Sequence, residues 1–434
     1  MEWSLILKSY HHLHFCLVVA KMVYDCCVGF ISCTNVLSNT AQVLTSLVEA
    51  LSEDRSGSVS KDDGLKLLEE AIELFQRCLT LQEFHYAESQ AQEETATQAP
   101  QHPEIEIQDS EATSSPATSS SVTAPNTMLS EAGSSPTVEE RWATIVEPVT
   151  SDTLLDTVLA QLETLTLLCE LITADEGRGL AWIEEYSTGL LTAKLPAYIM
   201  GTDREEEAAL TRANFIAALA NANFRCQHMD ASTYQRALDE AFGKLDLEHD
   251  PEGLCDKAEA LIAYSSALGA QLADPQSGAS SRWTALTAAL DALTAASKQP
   301  TAQNLAAIHL LRGDVELLRY QLSQPPVAFP SAVKSAAVLL KNAGTYYRGA
   351  ENHAIASKTR HEEDVEERKD AVVKQALVEA LSGERGKLRE LIDGGRGEKG
   401  DEGKAADVQR ILEEAVEGGL VGIEWLIREG LVSR

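Results

Sequence analysis

His361-Glu362 begins the pattern with which a helix binds catalytic zinc, two histidines four residues apart around a glutamate. Val365 stands where the second histidine would be, so no such metal site follows. The tail LIDGGRGEKGDEGKAAD places Gly403 before Lys404 as a phosphate loop does. Its leading glycine is missing, and Ala405 replaces the Ser or Thr that would reach a bound metal. Near the start, His11, His12 and His14 accompany Cys16, Cys26, Cys27 and Cys33, but the adjacent Cys26-Cys27 pair lacks the gap zinc ligands prefer. The carboxylate runs Glu184-Glu185 and Glu205-Glu206-Glu207 invite acid/base chemistry. Those at a helix start are explained by the favourable field of its free N–H groups. His309, inside an apolar helical pattern, reads as a packed or groove histidine. There is no Gly-x-Ser-x-Gly turn and no dinucleotide fingerprint. The expectation is a chain with no catalytic residue, no cofactor and no metal.

The elements that carry these residues are helices. Between Ser151 and Ala350, Ala- and Leu-rich helices recur in pairs at a spacing of about fifty residues, with first members starting near Ser151, Arg204, Gly253 and Ala302. Leu154, Leu155, Val158, Leu159, Leu162 and Leu165 line one broad face of the first, and Ser151 or Asp152 is placed to cap it. Its partner spans 179–198. The following pairs are 204–227 with 233–247, 253–272 with 281–298, and 302–322 with 331–350. Pro251, Pro275, Pro300 and Pro325-Pro326 fall between helices, where a missing N–H does least harm. An earlier hairpin spans 38–88. After Ala350 come a charged helix, a Gly-rich loop from Gly383 to Gly403, and a closing helix from Ala405 to Val432.

Residues 89–137 break the pattern. Five prolines sit among Ser, Thr, Ala and Glu, and no Lys or Arg occurs between Glu88 and Glu140. Such a stretch buries too little apolar surface to offset its ordering entropy, so it reads as a disordered acidic insertion, either a tolerated surface segment or an arm for a basic client. Residues 1–37 are of a different idiom, aromatic and rich in Cys and His. Lys21 and Asp25 interrupt the apolar run and make a membrane span costly. A wrong start or translated intron, an amphipathic anchor, and a metal cluster all remain readings of that segment.

Hydrophobic residues make up 44% of the 434 and aromatics 5%, so the core must be built from Ala, Leu, Val and Ile. Asp and Glu number 67 against 36 Lys and Arg, a formal charge of −31. That balance opposes non-specific contact with nucleic acid and anionic membranes and favours basic proteins. Cys78, Cys169, Cys226 and Cys255 lie singly in apolar helical patterns, as buried free thiols of a reducing compartment do.

Two segments resemble the tetratricopeptide-repeat family. In NLAAIHLLRGDVELLRYQL, Leu310, Gly313 and Leu317 are set as in a repeat's first helix, and in KLLEEAIELFQRCLTL, Ala71, Phe75 and Leu79 are set as in its second. The spacing of the pairs exceeds that family's thirty-four residues. The resemblance implies an all-α fold, a right-handed α-α superhelix made as a TPR-like solenoid of antiparallel helix pairs, over residues 138–350. Residues 351–434 would then close its end. Acidic chains of this kind resemble chaperones dedicated to single ribosomal proteins and histone chaperones whose repeats are interrupted by an acidic insertion. The function expected is a non-enzymatic scaffold that holds a basic protein client, a ribosomal protein or histone, in cytoplasm or nucleus, with no direct contact to nucleic acid or membrane. A structural helical subunit of a larger complex is the alternative.

Overall fold

A computed structural model describes residues 34–53, 61–97, 148–173, 177–356 apart from 273 and 275, 362–394 and 402–428. Most of residues 1–37, most of the insertion and the short helix expected around Trp142 lie outside the described residues. Within them every regular element is helical. In order they are α1 (Thr34–Glu53), α2 (Lys61–Thr97), α3 (Ser151–Leu171), α4 (Gly177–Gly189), α5 (Leu195–Ile199), α6 (Glu205–Arg225), α7 (Ala231–Phe242) and α8 (Pro251–Gln271). There follow α9 (Ala279–Ala296), α10 (Leu305–Gln321), α11 (Pro330–Ala356), α12 (Glu362–Leu381), α13 (Gly386–Gly394), α14 (Glu402–Glu417) and α15 (Ile423–Arg428).

The starts of these helices follow local chemistry. Asp230 accepts from Thr233 N at 2.7 Å ahead of α7, Asp250 from Gly253 N at 3.0 Å ahead of α8, and Asn304 from Ala307 N at 3.0 Å ahead of α10. Pro251 then opens α8, where its missing N–H is harmless. At α3 the cap is Thr150, reciprocally bonded with Thr153, one residue before the expected Ser151 or Asp152. A π-turn, Leu190–Lys194, joins α4 to α5, immediately before Pro196. Proline's missing donor and its ring against the preceding turn account for a locally widened helix there.

Several boundaries differ from the sequence expectation: α7 ends at Phe242 rather than 247, and α11 runs on to Ala356 rather than 350. Helix α2 runs on to Thr97 because residues 89–97 are Ala, Gln, Glu, Ser and Thr with no Gly or Pro, so nothing stops it for nine residues into the supposed insertion. The Gly-rich stretch contains α13, whose Leu388 is fully buried with Leu391 and Ile392 packed nearby. The closing helix is broken after Glu417: Gly419 takes φ +73°, and Leu420 and Val421 turn into the core.

Packing runs along the chain. Helices α1, α2 and α3 pack in sequence, α6 packs on α3, α8 on α6, and then α9, α10, α11 and α12 follow one another. One apolar core joins α3, α4 and α6 to α1 and α2, and a second extends from α6 to α15. Phe224, Tyr234 and Tyr264 link α6, α7 and α8 through ring contacts of 5.7 and 4.9 Å. Ala71, Phe75, Leu79, Leu310 and Leu317, the residues of the repeat-like segments, are all buried.

The sequence signal at Gly313 has a concrete cause. The Tyr347 ring of α11 lies over it, so closely that a Cβ at Gly313 would sit 2.4 Å from Cε1. In return the His309 ring of α10 lies over Gly349 of α11, with 3.0 Å to an added Cβ. Residues 309 with 349 and 313 with 347 define an antiparallel register, and the two glycines let the backbones approach. Tyr347 is wholly buried and its hydroxyl donates to Asp314 at 2.7 Å, so it has nowhere to retreat. Gly313→Ala should therefore destabilise the fold by about 3 kcal/mol, the upper end for an overpacked core, whereas Gly189→Ala, with nothing within 4 Å of its Cβ, should not. Urea titration of both variants measures the difference.

Candidate functional site

The first members of the pairs, α3, α6, α8 and α10, share a face on which small and acidic residues alternate. On α6, Ala217, Ala218 and Asn221 face Ala260 and Ala263 of α8 across a cavity of about 270 Å³, with Glu170 of α3 and Asp256 and Glu259 of α8 around it. Glu259 also lines a second, larger cavity of about 570 Å³ between α8 and α10. The two cavities share Glu259, which lies on an acidic stretch of the surface.

The carboxyls along it are crowded by protein and by each other. Burial pushes Glu163 above the usual carboxylate range, and Glu207 and Glu49 add to the shift. Burial raises Glu170 as well, and Arg225 offsets part of it. That arginine is anchored by donating to the carbonyls of Cys169 at 2.6 Å and Ile172 at 3.1 Å, which end α3. Asp256 rises through burial, moderated by the Asn214 amide that donates to it at 2.5 Å. Glu259 climbs to about 6 through burial and the charges of Asp256 and Glu170. Glu163, Glu170 and Glu259 have no salt-bridge partner among the described residues. The Asn221 Oδ1, an acceptor, is buried there without a donor.

The molecule's cations are engaged elsewhere. Lys194 and Tyr198 both meet Glu83, and Arg204 ties Asp156 to Glu207. Lys374 of α12 donates to Asp314 of α10 at 2.9 Å, and Arg410 of α14 bridges Glu366 and Glu414. Arg319 pairs with the buried Glu316 at 3.0 Å, itself bonded to Asn342 at 2.8 Å. These contacts fasten successive helices, and beside the smaller cavity Arg225 offsets part of the Glu170 shift.

Most residues singled out in the sequence have a definite place. Glu205, Glu206 and Glu207 occupy the first turn of α6, as the helix-dipole reading holds, and Glu207 is held by Arg204. Glu184 accepts from the buried Asn223 at 2.8 Å. His309 is stacked on His353 with centroids 5.0 Å apart, and burial, Arg312 and His353 hold it down to about 4, hence neutral. Gly403 and Lys404 fall in the opening turn of α14. His361 and the N-terminal His and Cys residues lie outside the described residues. Cys78, Cys169 and Cys226 are buried free thiols, and burial pushes Cys78 to about 11 and Cys169 to about 12. Among the described residues no group of three His, Cys, Asp or Glu could hold a metal ion, and no helix is long and apolar enough to cross a membrane.

Sequence reasoning missed Glu163, Glu170, Asp256 and Glu259, and it took Cys255 as a buried thiol, whereas that thiol is only half-buried on the wall of the larger cavity. The available signal was the placement of acids beside alanines on the first helix of each pair. Comparison adds no relative: no family model, no curated protein and no solved structure matches the chain. Fold and site define it by themselves as an all-α protein of packed helix pairs with an acidic groove.

The raised pKa of Glu259 sets a pH dependence. The folded state binds its proton more tightly than the unfolded chain, so ionisation opposes folding. That penalty is absent below pH 4.5, develops between 4.5 and about 6, and is complete above. The side chain also meets water, which screens the effect. Glu259→Gln should thus raise stability at pH 8 by roughly 0.5 kcal/mol and give no gain at pH 4, as read from urea melts at both values.

Proposed function

We propose that this protein is a non-enzymatic binding scaffold whose helix pairs stack as a right-handed superhelix of the tetratricopeptide-repeat kind. The acidic depression along α3, α6, α8 and α10 is its inner face and receives a segment of a basic protein, a ribosomal protein or a histone being of suitable chemistry. Cytosol or nucleus is the compartment this reading implies.

The observation that carries it is the cluster of carboxylates Glu170, Asp256 and Glu259 around one cavity, with Glu259 raised by burial and by the charges of the other two. Like charges crowded on one solvent-facing surface raise one another's pKa, and a lysine- or arginine-bearing ligand would relieve that repulsion on binding. The buried Asn221 Oδ1 lacks a donor in the same place and fits an N–H group from such a segment. The formal charge of −31 attracts such a partner at long range and speeds encounter.

Affinity purification of the full chain at moderate and at high salt tests the reading. Captured proteins should be strongly basic and largely lost at high salt. The double variant Glu170→Lys/Glu259→Lys should weaken capture at least tenfold and flatten its salt dependence. Partners without a basic bias, or capture equal in the charge-reversed chain, would refute it.

A further inference from the structure

The larger cavity differs in chemistry from the rest of the groove. Helices α3, α6 and α8 pack directly on one another, whereas between α8 and α10 a space of about 570 Å³ opens, within the range of sites that take ligands. Its α10 side is apolar, formed by Ala307, Ile308 and Leu311. Its α8 side carries Cys255 between the carboxylates Glu252 and Glu259.

Among the other polar groups of the lining, Thr301 and Gln303 are exposed to solvent, and Asp314 and Asn304 are already engaged. Asp314 accepts from Tyr347 at 2.7 Å and from Lys374 at 2.9 Å. Asn304 accepts from Ala307 N at 3.0 Å and donates to Glu367 at 2.7 Å. Glu252 and Glu259 have no salt-bridge partner among the described residues. An occupant must therefore bring apolar surface for α10 and positive charge for α8.

We infer that this cavity is the anchor subsite for the basic client: it takes a large aliphatic side chain, leucine or similar, while a neighbouring lysine or arginine of the same segment meets Glu252 and Glu259. The inference rests on the reading of the groove as a client site and adds the residue class that selects the client. Charge complementarity decides the occupant, since purely apolar ligands would leave the two carboxylates desolvated and unpaired. The acidic insertion of this chain is excluded by the same logic, because no Lys or Arg occurs between Glu88 and Glu140. Residues distant from the cavity supply attraction, and the cavity supplies the preference for one segment over another.

The test uses two short synthetic peptides and the full chain. One carries leucines among lysines, and the other has serine in place of each leucine. The leucine peptide should bind at least tenfold more tightly, and the margin should persist at high salt, because it comes from apolar burial. With a diazirine analogue of leucine in the peptide, photo-crosslinks should map to residues 251–259 and 301–314. Ala307→Trp, which fills the cavity, should abolish the leucine preference and leave the salt-dependent binding of the serine peptide. Equal affinity of the two peptides, or crosslinks confined to α3 and α6, would overturn the anchor and leave the groove standing. Failure of both peptides to bind at low salt would overturn the anchor and the groove together.

Discussion

The position of α10 depends on the contact between Gly313 and Tyr347. Only a residue without a side chain lets the tyrosine ring lie on the helix backbone, and the ring's hydroxyl then reaches Asp314 one residue on. Asp314 in turn holds Lys374 of α12, so three helices are tied at a single buried point. Burial raises the Tyr347 pKa far above its ordinary value and keeps the phenol a donor. Lys374 stays charged because Asp314 and Asp370 outweigh its desolvation. Asp314 also lines the larger cavity, so what fixes α10 against α11 and α12 also fixes the width of the space facing α8.

Charge is distributed with a clear division of labour. Lysines and arginines sit where helices must be fastened: Arg204 between α3 and α6, Lys194 beside α2, Lys374 and Arg410 among the C-terminal helices. Acids outnumber them nearly two to one, and the surplus is left on exposed surface and in the groove. In the groove it is unfavourable, since carboxylates set close together raise one another's pKa. A fold that tolerates such a cost places stability below what the same helices could reach, as binding surfaces commonly do.

Much of the architecture was legible in the residues. The helix pairs from Ser151 to Ala350 follow from the spacing of Leu and Ala, and their limits lie within a few residues of the observed ones, because proline, capping Asp and Asn, and apolar periodicity are local signals. The misplacements have equally local reasons. Residues 89–97 carry no helix breaker, and α13 was hidden because glycines at both ends drew attention from the apolar face Leu388, Leu391 and Ile392. Gly313 was recognisable by type, while the ring that makes it necessary lies thirty-four residues away and could not be read off.

Composition and order of residues determined that the chain is helical, acidic and built with a small-residue core, since each of those properties follows from nearest neighbours or from simple sums. Only the tertiary structure decided which acids matter. Glu170 and Glu259 are far apart in sequence, and neither is marked by its flanking residues. They meet because α6 brings α3 and α8 together, and a carboxylate's pKa is set by what surrounds it in space.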